Sequence, residues 1–324
     1  MSENIIVSIY CLAYNHEKYI KDALEGFVSQ ITDFKYEVFV HDDASKDGTA
    51  TIIKEYGEKY PEIIKPILQK ENQYSKGVRI LRDIILPLMS GKYIAVCEGD
   101  DFWMDNRKLQ KQVDFLNLHP EYVACVHNTK RLFMNSRYEE IMYPSGDREI
   151  NLEDVSMRGS AAYHTSSLMY RSIYSKEQPL FLTMIKNVGD YPLSIYLALS
   201  GKIMFLGEVM SVYRYDTESS WTISTNKNNN SIQNIYRDGI EMLKSADQYS
   251  EFKQHKIFCK AIGYQEYQLC KQNGTRLSYI KENYYDYYIK EKFKEKVKMW
   301  LHYRLPFFDP IISRVANFIK KVKK

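Results

Sequence analysis

Residues 36–49 read Tyr36-Glu37-Val38-Phe39-Val40-His41-Asp42-Asp43-Ala44-Ser45-Lys46-Asp47-Gly48-Thr49. Residues 36–40 are a largely apolar, β-rich run, two carboxylates follow after His41, and a polar turn then opens a helically periodic segment over 49–60. This is strand, acidic turn, helix. The same order precedes it, where 5–13 is a nearly continuous apolar run and Tyr19, Ile20, Ala23, Leu24, Phe27 and Val28 recur at helical spacing. It also follows, with 63–68 as strand, 78–89 as helix and 93–97 as a fourth strand. Strands buried on both faces and alternating with helices predict an α/β protein with a doubly wound, mostly parallel sheet flanked by helices. Ligands of such sheets bind at the carboxyl ends of strands, so the loops at 13–16, 41–48 and 97–105 should converge on one crevice.

From 106 to about 220 the pattern gives a helix over 108–118, a strand at 122–126, a long polar connection and a strand near 165–170. A helix at 191–199 and strands near 203–206 and 209–213 complete the unit. Residues 217–231 are polar and read as a linker. The expected division is a domain over 1–222, with halves at about 1–105 and 106–222, and a helical, basic extension over 223–324.

With 324 residues, 44% hydrophobic and 27% charged, the chain can bury a sizeable core, and disordered, collagen-like and fibrous readings are excluded. A net charge of +4 gives no argument for a nucleic-acid partner. The charge is uneven, because residues 290–324 hold 11 Lys/Arg against 3 Asp/Glu. Five cysteines form no C-x-x-C pair and read as buried free thiols in a reducing cytosol. No basic leader precedes the first strand, and no stretch reaches the roughly 18 apolar residues of a membrane span. The expectation is a cytoplasmic protein.

The informative chemistry is acidic. Asp42-Asp43 follow one strand and Glu98-Gly99-Asp100-Asp101 another. Crowded carboxylates repel one another unless a cation or donor-rich ligand compensates, and hard oxygen ligands without a His/Cys cluster suit Mg²⁺ or Mn²⁺ bridging to phosphate. Either pair alone is an ordinary Asp-rich turn; both on one sheet favour the cation. The chain has no G-x-G-x-x-G and no P-loop to cradle a diphosphate, and no G-x-S-x-G or H-E-x-x-H.

Val7-Ser8-Ile9, Ala13-Tyr14-Asn15-His16 and Val40 through Thr49 resemble the start of a family 2 glycosyltransferase. Gly91-Lys92-Tyr93-Ile94-Ala95 leading into Glu98-Gly99-Asp100-Asp101-Phe102-Trp103, with Lys108-Leu109 after it, is similar to that family's D-x-D region. Gly189-Asp190-Tyr191-Pro192-Leu193, Gly201-Lys202 and Val212-Tyr213-Arg214 resemble its acceptor-side half. The resemblance implies a GT-A type fold, a nucleotide-diphosphate sugar donor (UDP being the commonest carrier), Mn²⁺ or Mg²⁺, and inversion at the anomeric carbon. It assigns Ala13, Tyr14 and Asn15 to the nucleotide, Asp43 to the base, Asp100 to the ribose and diphosphate, and Asp101 to the metal. Glu98 stands where the family has its first Asp, with a longer side chain that reaches a metal or ribose. Asp190 becomes the general base, although by itself it reads as a helix-start residue. His164 and Trp221 are candidate acceptor-side residues, and a core or turn role fits each as well.

The implied activity is transfer of a monosaccharide to a hydroxyl of a growing cell-surface or exported glycan. Two rivals remain at this level: a metal-dependent sugar-phosphate nucleotidyltransferase and a non-catalytic sugar-nucleotide-binding scaffold. In the tail, Ile311, Ile312, Val315, Phe318, Ile319 and Val322 form an apolar stripe beside Arg314, Lys320, Lys321, Lys323 and Lys324. Such a helix suits either the inner membrane surface, where a lipid-linked acceptor would be met, or packing within the protein or a homo-oligomer.

Overall fold

A computed structural model describes residues 4–133, 138–158, 162–176, 178–185, 189–215 and 229–304. The chain divides into two compact units, Met1–Ser224 and Thr225–Lys324. In the first, a ten-stranded sheet has the order β3-β2-β1-β4-β9-β6-β10-β5. Its strands are β1 (Ile5–Ala13), β2 (Lys35–Asp42), β3 (Ile64–Leu68), β4 (Tyr93–Val96), β5 (Phe102–Trp103), β6 (Tyr122–Phe133), β7 (Tyr138–Ile141), β8 (Arg148–Ile150), β9 (Met169–Arg171) and β10 (Lys202–Tyr215). β7 pairs with β6, and β8 with β10.

The first four strands pair in parallel and bury nearly every residue of β1 and β2, as their unbroken apolar runs require. The sheet as a whole is mixed. β9 runs antiparallel between β4 and β6, and β5, β7 and β8 are antiparallel additions around the long parallel pair β6 and β10. The two short strands expected at 203–206 and 209–213 are one strand, β10, whose register against β6 slips between Leu206 and Val209. The helix expected over 78–89 is instead a π-turn at Ile80–Ile85 followed by a 3₁₀ turn at Leu86–Leu88, where Pro87 cannot donate to a regular ladder.

Helix α1 (Ile20–Val28) buries Ile20, Ala23, Leu24, Gly26 and Phe27. Phe27 meets Trp103 edge-on at 5.0 Å, and a Cβ on Gly26 would stand 2.8 Å from the Trp103 carbonyl oxygen. Only glycine lets α1 approach β5 this closely. Fully buried Leu24 gives the scale of this packing, since truncating such a side chain to alanine costs about 2–5 kcal/mol. Helix α2 (Thr49–Lys59) turns Thr49, Ile53 and Tyr56 inward, and α3 (Lys108–Leu118) buries Leu109, Val113 and Leu116. Helices α4 (Leu152–Arg158) and α5 (Asp190–Ser200) complete the unit. Buried Lys108 lies 3.9 Å from the Trp103 ring centroid and donates to Gln112 Oε1 at 2.7 Å; burial pushes its ammonium down to about 7.

The second unit is helical, with Asn229–Tyr249, His255–Gln272, Leu277–Asn283, Tyr285–Tyr288 and Phe293–Arg304. Met242, Leu243, Ala246, Phe258, Ala261, Tyr267 and Ile280 are buried in it. Cys11, Cys97 and Cys125 are buried as expected, but Cys259 is exposed and Cys270 half-buried, because they lie on helix faces and not in strands. No helix among the described residues is long and apolar enough to cross a membrane. The stripe at 311–322 lies outside the described residues.

Candidate active site

The loops after β1 and β2 are knitted together by polar contacts. Asn15 N–H donates to Ser45 Oγ at 2.8 Å, Lys46 N–H to Asn15 Oδ1 at 2.9 Å, and His16 N–H to Thr49 Oγ1 at 2.8 Å. Asn15 and Ala44 both adopt left-handed backbone, φ 56° and 60°. For Ala44 this costs roughly 1–2 kcal/mol, which the surrounding bonds offset. Asp42 accepts Ser45 N–H at 3.1 Å and the Ser45 hydroxyl. Asp43, 4% exposed, accepts Gln73 N–H at 2.7 Å and Tyr74 N–H at 3.1 Å through its two oxygens, so it shapes the 72–75 turn. A crevice of about 650 Å³ opens here, lined by Tyr14, Asp42, Ser45, Lys46, Lys70 and Asn72 among others. Ala13, at the end of β1, receives Asp43 N–H on its carbonyl at 3.0 Å.

The acidic loop 98–101 leaves β4 on the same side of the sheet, and Gly99 N–H donates to Leu12 O at 2.9 Å. Asp101 is buried, and its Oδ1 accepts the Arg214 N–H at 2.9 Å. The Arg214 guanidinium, 5% exposed, donates to Asp100 O at 2.8 Å and to the Asp22 carboxylate. Burial, then the charge of Asp100, pushes the Asp101 carboxyl well up against the opposing pull of the Arg214 N–H. Glu98 is exposed, yet the surrounding protein, followed by Asp100 and Asp190, pushes its carboxyl up to about 8. Asp190, the first residue of α5, is therefore within electrostatic reach of Glu98, 92 positions earlier in the sequence. It accepts the adjacent Tyr191 N–H at 2.9 Å as a local cap, and Gly189 holds the N-cap position.

His164 lies beside the acidic loop. Its Nε2 stands 3.7 Å from Asp101 Oδ2, its Nδ1 faces Ser166 Oγ at 2.8 Å, and its ring lies 4.3 Å from Tyr213. Burial, then the Arg131 charge, pushes the imidazole down to about 3, so it is neutral at pH 7 and makes no ion pair with Asp101. Trp221 lies outside the described residues.

A profile of Glycosyl transferase family 2 matches residues 8–176, just over half of the chain. The chain belongs to glycosyl transferase family 2. An uncharacterized Mycobacterium tuberculosis protein is 37% identical over 218 residues, 66% of this chain and 60% of the relative. The chain thus spans about three fifths of the length of that curated relative. The putative teichuronic acid biosynthesis glycosyltransferase TuaG of Bacillus subtilis is 33% identical over 111 residues, 34% of this chain and 42% of that protein. The Escherichia coli UDP-Glc:alpha-D-GlcNAc-diphosphoundecaprenol beta-1,3-glucosyltransferase WfgD is 30% identical over 114 residues, 35% and 42% of the two chains. Among solved structures, S. aureus TarS 1-349 in complex with UDP-GlcNAc superposes with a TM-score of 0.58 at 19% identity, covering 92% of this chain and 79% of that one. That likeness establishes a shared fold.

For a family 2 chain, the donor set at the acidic loop can be tested against a divalent cation. Among the described residues no three His, Cys, Asp or Glu side chains converge on one point. A Mg²⁺ or Mn²⁺ shared with a diphosphate needs only one or two carboxylates, the rest of its shell coming from phosphate oxygens and water. Burial and neighbouring carboxylates disfavour the ionised forms of Glu98 and Asp101 and raise both carboxyls, a penalty that a cation beside them would relieve. The residues fit. Sequence reading quoted Arg214 within Val212-Tyr213-Arg214 but gave its side chain no role, and it missed the part played by Asp22.

Proposed function

We propose that the chain is an inverting glycosyltransferase that moves a monosaccharide from a nucleotide-diphosphate sugar to a hydroxyl of a growing cell-surface or exported glycan. The observation that supports this reading is the electrostatic influence of Asp190, at the start of α5, on Glu98 of the acidic loop that follows β4. Inversion needs a base on one side of the sugar and charge stabilisation for the departing diphosphate on the other. UDP is the favoured carrier, in keeping with the TarS complex and the WfgD name.

In this reading residues 1–222 hold the reaction. Ala13, Tyr14, Asn15 and Asp43 take the nucleotide in the crevice between the first two loops, and Asp100 lies against ribose and diphosphate. Asp101, with Glu98 beside it, holds Mn²⁺ or Mg²⁺, which when bound neutralises charge on the leaving diphosphate. Asp190 accepts the proton of the attacking hydroxyl, and neutral His164 orients the acceptor against the buried wall formed by Tyr213 and Asp101. Arg214 fixes the loop through its backbone and side chain, so the carboxylates keep their positions whether or not donor is present. Residues 223–324, and their basic, aromatic-rich end above all, fit a surface carrying anionic lipid and a lipid-linked acceptor.

The deciding experiment is calorimetric titration of nucleotide diphosphates and their sugars with and without Mn²⁺, followed by a transfer assay on glycan acceptors. Cation-dependent binding of one nucleotide and release of that nucleotide only when acceptor is present are expected. Cation-independent binding, or consumption of nucleoside triphosphate with release of pyrophosphate, would reject this reading in favour of a scaffold or a nucleotidyltransferase respectively.

A further inference from the structure

The helical unit holds a second cluster of reactive groups. His255 Nδ1 lies 2.6 Å from Asp247 Oδ2, and Cys259 Sγ lies 3.3 Å from His255 Nε2 and 3.8 Å from Nδ1. The sulfur therefore sits over the imidazole near Nε2, with the carboxylate at the opposite ring nitrogen. Asp247 is 4% exposed, and its second oxygen, Oδ1, is buried without a hydrogen-bond partner. A buried carboxylate with half its acceptor capacity unused is costly unless the adjoining group is a cation. His255 Nδ1 meets that carboxylate at Oδ2, and the same ring faces the sulfur. Asp247 comes from the helix Asn229–Tyr249, His255 and Cys259 from successive turns of His255–Gln272. The connecting turn passes through left-handed Glu251 and Phe252, φ 54° and 60°.

We infer that Cys259 is a nucleophilic thiol, activated by His255 and Asp247, that exchanges with low-molecular-weight disulfides. In the proposed step Cys259 passes its proton to His255 and reacts as the thiolate, one turn from the positive end of its helix. It attacks one sulfur of the incoming disulfide; the new Sγ–S bond forms, the old S–S bond breaks, and the departing thiolate takes the proton from His255. The result is one mixed disulfide and one free thiol, with no net change in redox equivalents, and a reduced thiol reverses it. Acyl transfer is disfavoured, because the Cys259 N–H lies within a helix turn where it is used by the ladder and offers no oxyanion donor. Disulfide exchange needs none. Cys259 is also the exposed thiol of the five, whereas Cys11, Cys97 and Cys125 are buried.

The test is treatment of the full chain with glutathione disulfide at neutral pH, with peptide mass spectrometry following Cys259 and Cys270 separately. Cys259 should form the mixed disulfide at least about tenfold faster in the wild type than in His255→Gln, with Cys270 unchanged between them. Removing the imidazole uncovers the sulfur, so a purely steric role for His255 predicts the opposite sign. Asp247→Asn should slow the reaction as well; should that variant unfold, the exposed His255→Gln alone decides. A ratio below about threefold between wild type and His255→Gln, or a faster reaction in the variant, overturns the assignment.

Discussion

Asp101 and Arg214 are joined by a backbone-to-carboxylate hydrogen bond of 2.9 Å across 113 residues of sequence. It ties the acidic loop to β10, and the same arginine's side chain reaches Asp100 and Asp22. The loop is thus held from outside by the strand farthest from it in the chain.

Replacing Arg214 separates the parts of that arrangement. Arg214→Met should lower the unfolding free energy by about 1–3 kcal/mol, since a charged hydrogen bond to a largely buried group is lost. Asp22→Asn should cost less, because Asp22 is solvent-facing at 57% side-chain exposure. Denaturant unfolding measures both, and equal losses would mean that the contact with Asp100 contributes nothing.

Asp101→Asn should remove cation-dependent donor binding while leaving the fold intact, as the amide still accepts from Arg214 N–H. Titration of UDP with and without Mn²⁺ reads this directly. Cation-enhanced binding that survives the substitution would place the cation elsewhere.

Asp190→Asn should leave nucleotide affinity nearly unchanged and lower transfer at least ~10²-fold, the scale of a lost general base. A parallel loss of binding and rate would assign Asp190 to the donor pocket instead.

The Glu98 carboxyl gives a pH signature. In the unfolded chain it releases its proton near 4.5, and in the folded, cation-free protein near 8. The folded state therefore binds the extra proton between these values, and stability falls as pH rises through that window. Melting temperature of the cation-free protein should decline from about pH 5 to about pH 8, and Glu98→Gln should flatten the decline. Mn²⁺, which favours the ionised form, should stabilise more at the upper end. Identical slopes in wild type and variant would remove Glu98 from the electrostatics of the site.

The N-terminal half of the fold was legible because β1, β2 and β4 are continuous apolar runs, each followed by polar residues at the strand end. The acidic clusters could be placed on one edge for the same reason. What lay beyond reading was long-range: β9 entering antiparallel between β4 and β6, and β10 continuing through a slip at Leu206–Val209 that looks in sequence like a break. The capping bonds on Asp43 also escaped, since they come from backbone N–H groups of Gln73 and Tyr74, and any residue but proline could donate there. His164 was visible as a candidate, but its place beside Asp101 depends on the short 3₁₀ turn Thr165–Ser167, which carries no periodic signal.

The span between Asp101 and Arg214 also fixes an order of events on the ribosome. Every residue that lines the crevice around Asp43 lies within the first 75, so its lining has been made while most of the chain is still to come. The acidic loop cannot take its final form until Arg214 has emerged and β10 has paired with β6. A nascent chain stalled between those two points would hold all the crevice-lining residues and an untethered acidic loop. The two halves of the proposed site are thus separated in time during synthesis as well as in sequence.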